Sequence, residues 1–414
     1  MHPVNRPLHL SRRSAFFAAV IIASISTVAC ADWLSYRGPT QNGVSLEKGV
    51  GTQFPAEGPK VLWKTNVGTG TSSVTVSAGR AYTMGNHRGK DSVVCFDTKS
   101  GRELWKHEYP LALDPRMFEG GTAATPTIDG NRVYTVSHQG DLFCRDAASG
   151  RKIWYKHYQK DFRGRRPQWG FAGSPTIEGN FVILDVGAKG ASTVALDKTT
   201  GNVVWKSGDD AAGYATPVVA TIGGKRTVVM FKASHLVGLD LKDGRELWRT
   251  EWKTNYDVNA ATPIVVGDRI FISSGYGAGC ALIEISGGAA VQKWRNKNLK
   301  AHINSPVFSN GFLYGIDDNA SPSAPLVCLD FATGQEKWSE RGIGGALIAA
   351  DGKLIILSER GELIVAEESP AGFHPLARAQ VLGKRCWVQP TFAAGQLYCR
   401  NNEGDLVCLD LAGK

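Results

Sequence analysis

Between Tyr155 and Ser174 the chain reads YKHYQKDFRGRRPQWGFAGS, where side chains able to hold a ligand are densest. Lys160, Arg163, Arg165 and Arg166 are followed closely by Trp169. Guanidinium groups pair bidentately with carboxylates, so three together could grip a polycarboxylate, while the indole offers a stacking face. The plainer reading of the same residues is a solvated basic loop. A second set of polar and aromatic residues is scattered through the chain: Tyr214, Asn255, Tyr256, Asn259, His302, Asn304, Trp387 and Gln389. His302 has no Cys, Asp or second His beside it, which suits a hydrogen-bonded histidine better than a metal ligand or general base. In Asp317-Asp318-Asn319 the adjacent carboxylates would point opposite ways on a strand, and in a turn they would cap backbone, so no metal is assigned. No Gly-x-Ser-x-Gly or His-Glu-x-x-His motif supports a hydrolase.

The elements that must position these residues come from a repeat. SVVCFDTKSGRELWK, DLFCRDAASGRKIWY, STVALDKTTGNVVWK, HLVGLDLKDGRELWR and PLVCLDFATGQEKWS share an alternating apolar run, an Asp, and a Gly with Trp four residues later. Asp accepting backbone N–H groups and Gly at positive φ make a hairpin turn between half-buried strands. A second signature, strand–Gly turn–strand, appears as AATPTIDGNRVYTV, AGSPTIEGNFVIL, AATPIVVGDRIFI, NSPVFSNGFLYGI and VQPTFAAGQLYCR. Pro126, Pro175, Pro217, Pro263, Pro306 and Pro390 mark it, with Val74 and Leu347 in the matching places, at intervals of 41 to 52 residues. Four short strands per unit without helical periodicity predict an all-β fold, an eight-bladed β-propeller of four-stranded antiparallel blades. The chain ends three strands into a unit at DLVCLDLAGK, while GPKVLWKTNVG near the start is a lone fourth strand with Trp63. Joining the two in one blade closes the ring and leaves no open sheet edge.

This topology puts the connections between blades on one face of the ring and the Asp…Gly turns on the other. The candidate ligand-binding set at the channel mouth is therefore Arg163, Arg165, Arg166, Trp169, Tyr214, Asn259, His302, Asn304, Trp387 and Gln389, with Lys160, Asn255 and Tyr256 nearby. Cys95, Cys144, Cys328 and Cys408 share one repeat position with Ala195 and Gly238, the mark of a small buried residue rather than a ligand. Cys399 and Cys408 flank the turn at Asn401–Gly404 and are expected to face each other across it, with a disulfide left open.

The paired signatures resemble the PQQ-like propeller family over nearly all of residues 63–414. That family includes quinoprotein alcohol dehydrogenases and the lipoprotein B subunit of the outer-membrane β-barrel assembly machinery. The lead-in DWLSYRGPTQNGVS resembles the openings of exported PQQ-like proteins. The resemblance implies the fold, whereas propellers host unrelated functions. The dehydrogenases resemble one another in adjacent cysteines over the quinone, a Cys-x-x-Cys-His haem motif in some, and Glu, Asn and Asp ligands to Ca²⁺. No two cysteines here are adjacent, the haem motif is absent and the Ca²⁺ ligands find no match. No catalytic residue, metal or cofactor is therefore assigned. The resemblance to the assembly subunit, in length and export signal, implies a non-catalytic scaffold binding envelope proteins. The alternatives are a PQQ-dependent oxidoreductase and a small-molecule or carbohydrate binder, with Trp169 and Trp387 stacking on the ligand.

The N-terminus fits export. Arg6, Arg12 and Arg13 precede an uncharged apolar run at residues 15–29, and Ala29-Cys30-Ala31 is a small-x-small cleavage site, so residues 1–31 read as a signal peptide. Residues 32–62 are then a lead-in and residues 63–414 the propeller. The expected location is periplasmic or secreted, or the outer membrane if Cys30 is acylated. Losing three arginines takes the net charge from +9 to +6, too little for a nucleic-acid footprint. No later stretch is long enough for a transmembrane span, and a monomer is expected.

Overall fold

The Asp-x-x-x-Gly frames form tight turns for the reason their residues suggest. Oδ1 of Asp97, Asp146, Asp197 and Asp330 each accepts the backbone N–H three residues on, at 2.8 Å. Hydrogen bonds from that same Ser or Thr hold Asp97, Asp146 and Asp197 below the usual carboxylate range. Gly101, Gly150, Gly201, Gly244 and Gly334 follow at φ of 68–75°, where a Cβ would strain the backbone.

The structure, a computed structural model, describes residues 1–3, 32–115, 118–318 and 323–413. The charged, apolar and cleavage segments of the signal sequence, with Cys30, lie outside the described residues, as does Asn319. Eight antiparallel four-stranded meanders form a propeller. Blade 1 runs Thr75–Ser77, Arg80–His87, Lys90–Asp97 and Glu103–Pro110. Blade 8 takes Thr391–Ala393, Gln396–Arg400 and Asp405–Asp410 from the end of the chain, and Val61–Asn66 as its outer strand. Trp63 pairs with Cys408 in that seam, so the termini do close the ring.

The recurring tryptophan has a definite task. Its ring crosses to the next blade and its Nε1–H donates to a backbone carbonyl there: Trp63 to Thr98 (2.8 Å), Trp105 to Ala147 (3.0 Å), Trp154 to Lys198 (3.1 Å), Trp205 to Leu241 (3.0 Å), Trp294 to Phe331 (3.2 Å) and Trp338 to Ser369 (2.9 Å). The turn glycine lies under the ring, and a Cβ at Gly101 or Gly150 would come within 2.6 Å of it. Directly opposite Trp105, Trp154, Trp205, Trp248, Trp338 and Trp63 stand the small residues of the repeat, Cys95, Cys144, Ala195, Gly238, Cys328 and Cys408, while Trp294 in the irregular fifth blade faces Leu282. A second device explains the Ser or Thr before the marker proline. The backbone N–H groups of Ser73, Thr125, Ser174, Thr216 and Thr262 donate to the hydroxyls of Thr125, Ser174, Thr216, Thr262 and Ser305, each in the next blade, at 2.8–3.2 Å. The proline that follows has no N–H to leave unpaired near the axis.

One pairing differs from expectation. Cys399 stands opposite Val407, and Cys408 opposite Tyr398, so the two cysteines lie on opposite faces of the hairpin. The turn is centred on Glu403 rather than between Glu403 and Gly404, because Asn401 and Asp405 pair through Asn401 N to Asp405 O. A slip of half a residue pair in the centre shifts the register by one and reverses the face of every side chain. The two thiols therefore do not meet, and both are buried.

The lead-in is a strap across the face that carries the Asp…Gly turns. Trp33 exchanges backbone bonds with Val76 in blade 1, and Leu34 O accepts from Ile128 N in blade 2. Val44–Ser45 adds a parallel strand to blade 7, and the Glu47 carboxylate accepts the N–H of Gly395 in blade 8. Arg37 is fully buried between these contacts. Its guanidinium donates to the carbonyls of Gln41, Asn42 and Pro306, and burial pulls its pKa down to about 10. None of the described helices is long and apolar enough to cross a membrane.

Candidate functional site

On the opposite face the axis opens into a cavity of about 170 Å³, continuous with a lower one of about 90 Å³ through shared walls at Thr71, Tyr214, Ile303 and Trp387. Seven of the eight blades, all but blade 7, contribute residues from the stretch before the innermost strand, which is why the lining is so widely spaced in sequence. Trp169, Tyr214, His302 and Trp387 meet in the upper cavity. Asn304 and Gln389 lie in the lower one, above Tyr36 of the strap. Their amides also tie blades together: Asn304 Nδ2 donates to Gly345 O (2.9 Å) and Gln389 Nε2 to Leu347 O (3.0 Å).

Trp169 reaches the cavity because its loop is folded back on the ring. His157 caps a one-turn helix at Tyr158–Phe162, accepting at Nδ1 from Gln159 N (3.2 Å), and Tyr158 and Phe162 are buried beneath it. Arg163 ends the helix in the left-handed region at φ 63°. Gly170 at φ 86°, packed against His138, then turns the chain so that Trp169 faces the axis. Rings continue from there, Trp169 tilted against Tyr214 (6.1 Å between centroids), then edge contacts from Trp169 to Tyr256 (6.4 Å), Tyr256 to Tyr276 (5.3 Å) and Tyr276 to His302 (4.7 Å). The other wall is Phe118 against Trp387 at 4.6 Å, with the Arg385 guanidinium over both rings at 5.4 and 4.8 Å.

Several expectations for this site need correction. Arg163 and Arg165 are exposed and do not line the cavity. Arg166 comes close but pairs with Asp114, and its Nε–H donates to His138 O (3.3 Å). Asn259 turns away from the axis and is fully buried: its amide N–H groups donate to Lys232 O, Ala233 O and Trp252 O, and its carbonyl accepts from Ser274 Oγ. Asn255 is exposed in the turn Asn255–Asp257 outside the lining. His302 is packed on Tyr276 rather than hydrogen-bonded; its Nδ1 is buried without a partner and burial lowers its pKa to about 4. Asp317 accepts from the backbone N–H and the ammonium of Lys300, a turn-capping role.

Sequence reasoning missed Phe118, Glu119, Tyr276, Arg385 and Asn402, which complete the upper wall with Asp114. They come from other inter-blade connections and second–third strand turns, and only Arg385, two residues before Trp387, carried a local signal. The charges among them cancel. Arg385 pairs with Glu119 (2.7 Å), whose other oxygen accepts from Asn402 Nδ2 (3.2 Å). Glu359 lies deeper, and burial raises its carboxyl above the usual range, with the Trp387 indole and Arg385 opposing that shift. The Trp387 N–H faces this carboxylate without closing a hydrogen bond of ordinary geometry. The seven described cysteines are buried, and burial pushes the Cys386 thiol up to about 12.

The guanidinium groups at the site do not suit a polyanionic quinone. A polyanionic quinone needs free guanidinium groups, and the two beside the cavity, Arg166 and Arg385, are held by carboxylates. Among the described residues no three His, Cys, Asp or Glu side chains form a metal-holding cluster.

The fold is shared with proteins of different activities. The chain superimposes on BamB from Moraxella catarrhalis with a TM-score of 0.62 at 16% identity, covering 85% of this chain and 99% of that one. The quinohemoprotein alcohol dehydrogenase ADHIIG from Pseudomonas putida HK5 gives 0.60 at 12% identity, covering 93% and 81%. The computationally designed Ika8 protein gives 0.59 at 12%, covering 84% and 98%. No curated protein matches in sequence. At these identities the superpositions establish the propeller alone. Family membership rests on the sequence: the model described as outer membrane protein assembly factor BamB matches residues 89–340, more than half of the chain, and the protein belongs to that PQQ-like propeller family.

Proposed function

We propose that the chain is a non-catalytic scaffold of the cell envelope that binds other proteins through the face carrying the inter-blade connections. Family membership carries this reading, since the matching model is that of an assembly factor. The geometry supports a location for the contact. Lys160, Arg163 and Arg165 stand exposed on the one-turn helix and the loop after it, and among the described residues no carboxylate pairs with them. Such charges speed association with an acidic surface and set its orientation. The export signal in the sequence supports the envelope location, and the neutral cavity supports function without PQQ.

The test is a charge-reversed variant, Lys160→Glu with Arg163→Glu and Arg165→Glu, beside a control reversed at Lys99 and Arg102 on the opposite face. Partners are cross-linked in envelope extract, purified, and titrated against each protein. The reading expects saturable binding that weakens at least tenfold in the loop variant and stays unchanged in the control. Equal binding by both would remove the assignment of this face. PQQ, Ca²⁺ and a panel of alcohols and sugars with an artificial electron acceptor should give no dye reduction. Saturable reduction that disappears in Trp387→Ala would replace the scaffold with an oxidoreductase.

A further inference from the structure

We infer that the upper axial cavity is a binding site for a neutral sugar ring, a pyranose presented alone or at the end of a glycan. Its walls are the two indoles Trp169 and Trp387, extended by Phe118 on one side and Tyr276 on the other. Flat aromatic faces pack against the C–H faces of a pyranose and remove apolar surface from water. The cavity, about 170 Å³ and open to solvent, has room for a sugar ring.

Charge decides among ring-shaped ligands. The rim carboxylates Asp114 and Glu119 are each neutralised by a guanidinium, so neither an anion nor a cation meets an unpaired opposite charge there. His302 stays neutral at physiological pH because burial disfavours its charged form. What remains is an aromatic cavity with a few neutral polar groups, the composition a hydroxyl-rich neutral ring requires.

The second observation is an unmet hydrogen-bonding demand. His302, 7% exposed, and Trp169 both line the cavity, and His302 Nδ1 and Trp169 Nε1 are buried without a partner, whereas the Trp387 N–H faces Glu359. A buried polar group left unpaired costs about 1–3 kcal/mol, so such groups gather at sites that a ligand or ordered water completes. Asn402, held by Glu119 through Nδ2, offers a fixed amide at the opposite edge.

This site is separate from the basic loop of the scaffold reading, and either can fail without the other. The test uses saturation-transfer NMR and calorimetry on the folded mature chain. The probes are glucose, N-acetylglucosamine, galactose, mannose and their disaccharides, with PQQ and N-acetyl-tryptophanamide for comparison. The inference expects saturable binding of at least one neutral sugar, saturation concentrated on ring C–H protons, and affinity constant from pH 5 to 8. Trp169→Ala, in a half-buried loop position, should weaken that binding at least tenfold, as should Trp387→Ala if it remains folded by circular dichroism. The Lys160, Arg163 and Arg165 reversal should leave it unchanged. Absence of binding by every sugar at millimolar concentration overturns the inference, as does sugar binding indifferent to Trp169→Ala. Binding of N-acetyl-tryptophanamide or PQQ alone would reassign the cavity to an aromatic anchor or a quinone.

Discussion

Trp63→Ala tests how the ring is closed. Trp63 is 8% exposed, and its ring lies over Gly101 and against Phe96 and Tyr398 at 5.9 and 5.8 Å. Removing a buried indole costs about 3–5 kcal/mol. The Thr98 carbonyl also loses its donor at 2.8 Å, adding about 1 kcal/mol. Trp154 is the matched control, with the same 8% exposure, a bond to Lys198 O at 3.1 Å and Gly201 beneath it. Both substitutions should lower stability by about 4–6 kcal/mol in urea unfolding followed by circular dichroism. They should differ in where the structure opens. Val61–Asn66 pairs with Asp405–Asp410 from the far end of the chain, so loosening Trp63 frees a seam that no short turn holds together. Hydrogen exchange of the amides in 405–410 should accelerate much more in Trp63→Ala than in Trp154→Ala, where only the shared loss of global stability reaches them. A loss below about 1 kcal/mol, or unchanged protection of 405–410 in Trp63→Ala, would refute closure through this indole.

Gly150→Ala places a Cβ within 2.6 Å of the Trp105 ring at φ 72° and should cost about 2–4 kcal/mol, whereas Gly130→Ala, with open space and φ 56°, should cost about 1 kcal/mol; urea midpoints measure both. His302 titrates near 4 in the fold against about 6.5 in the unfolded chain, so the unfolded state binds more protons between those values and stability falls as pH drops through them. Across that window the group accounts for about 3 kcal/mol, and His302→Gln should flatten the acid limb of the stability curve by roughly that amount. The buried thiols, with Cys399 and Cys408 on opposite faces, should react with a thiol reagent only after denaturation, and mass spectrometry should find no Cys399–Cys408 bridge. Recovery of that bridge from native protein would show the register at residues 396–410 to be wrong.

Much of the fold was written locally. Asp97 and Gly101 specify their turn through atoms within five residues of each other, and repetition of that frame is enough to count blades. The incomplete units around Trp63 and Cys408 likewise told which strands complete one another, because a three-stranded blade and a lone strand each lack the partner that the other supplies. The small residue opposite Trp105 and Trp154 was legible as small and buried, although its reason, the indole paired across the strand, belongs to the assembled blade.

The site was legible only in part. Trp169, Tyr214, His302 and Trp387 precede innermost strands, so topology alone carried them to the axis. Asn259 occupies an equivalent stretch yet turns inward, because Lys232, Ala233 and Trp252 leave carbonyls there that need donors. Arg166 was expected to be free, and its tie to Asp114, 52 residues earlier, became visible only when two connections met at the mouth. The Cys399–Cys408 register turned on one pair of turn hydrogen bonds that composition does not encode. Periodicity is a property of neighbours along the chain and survives in the sequence. Which charges cancel, which polar atoms stay unpaired and which rings share a cavity depend on residues from different blades, and only the closed ring decides them.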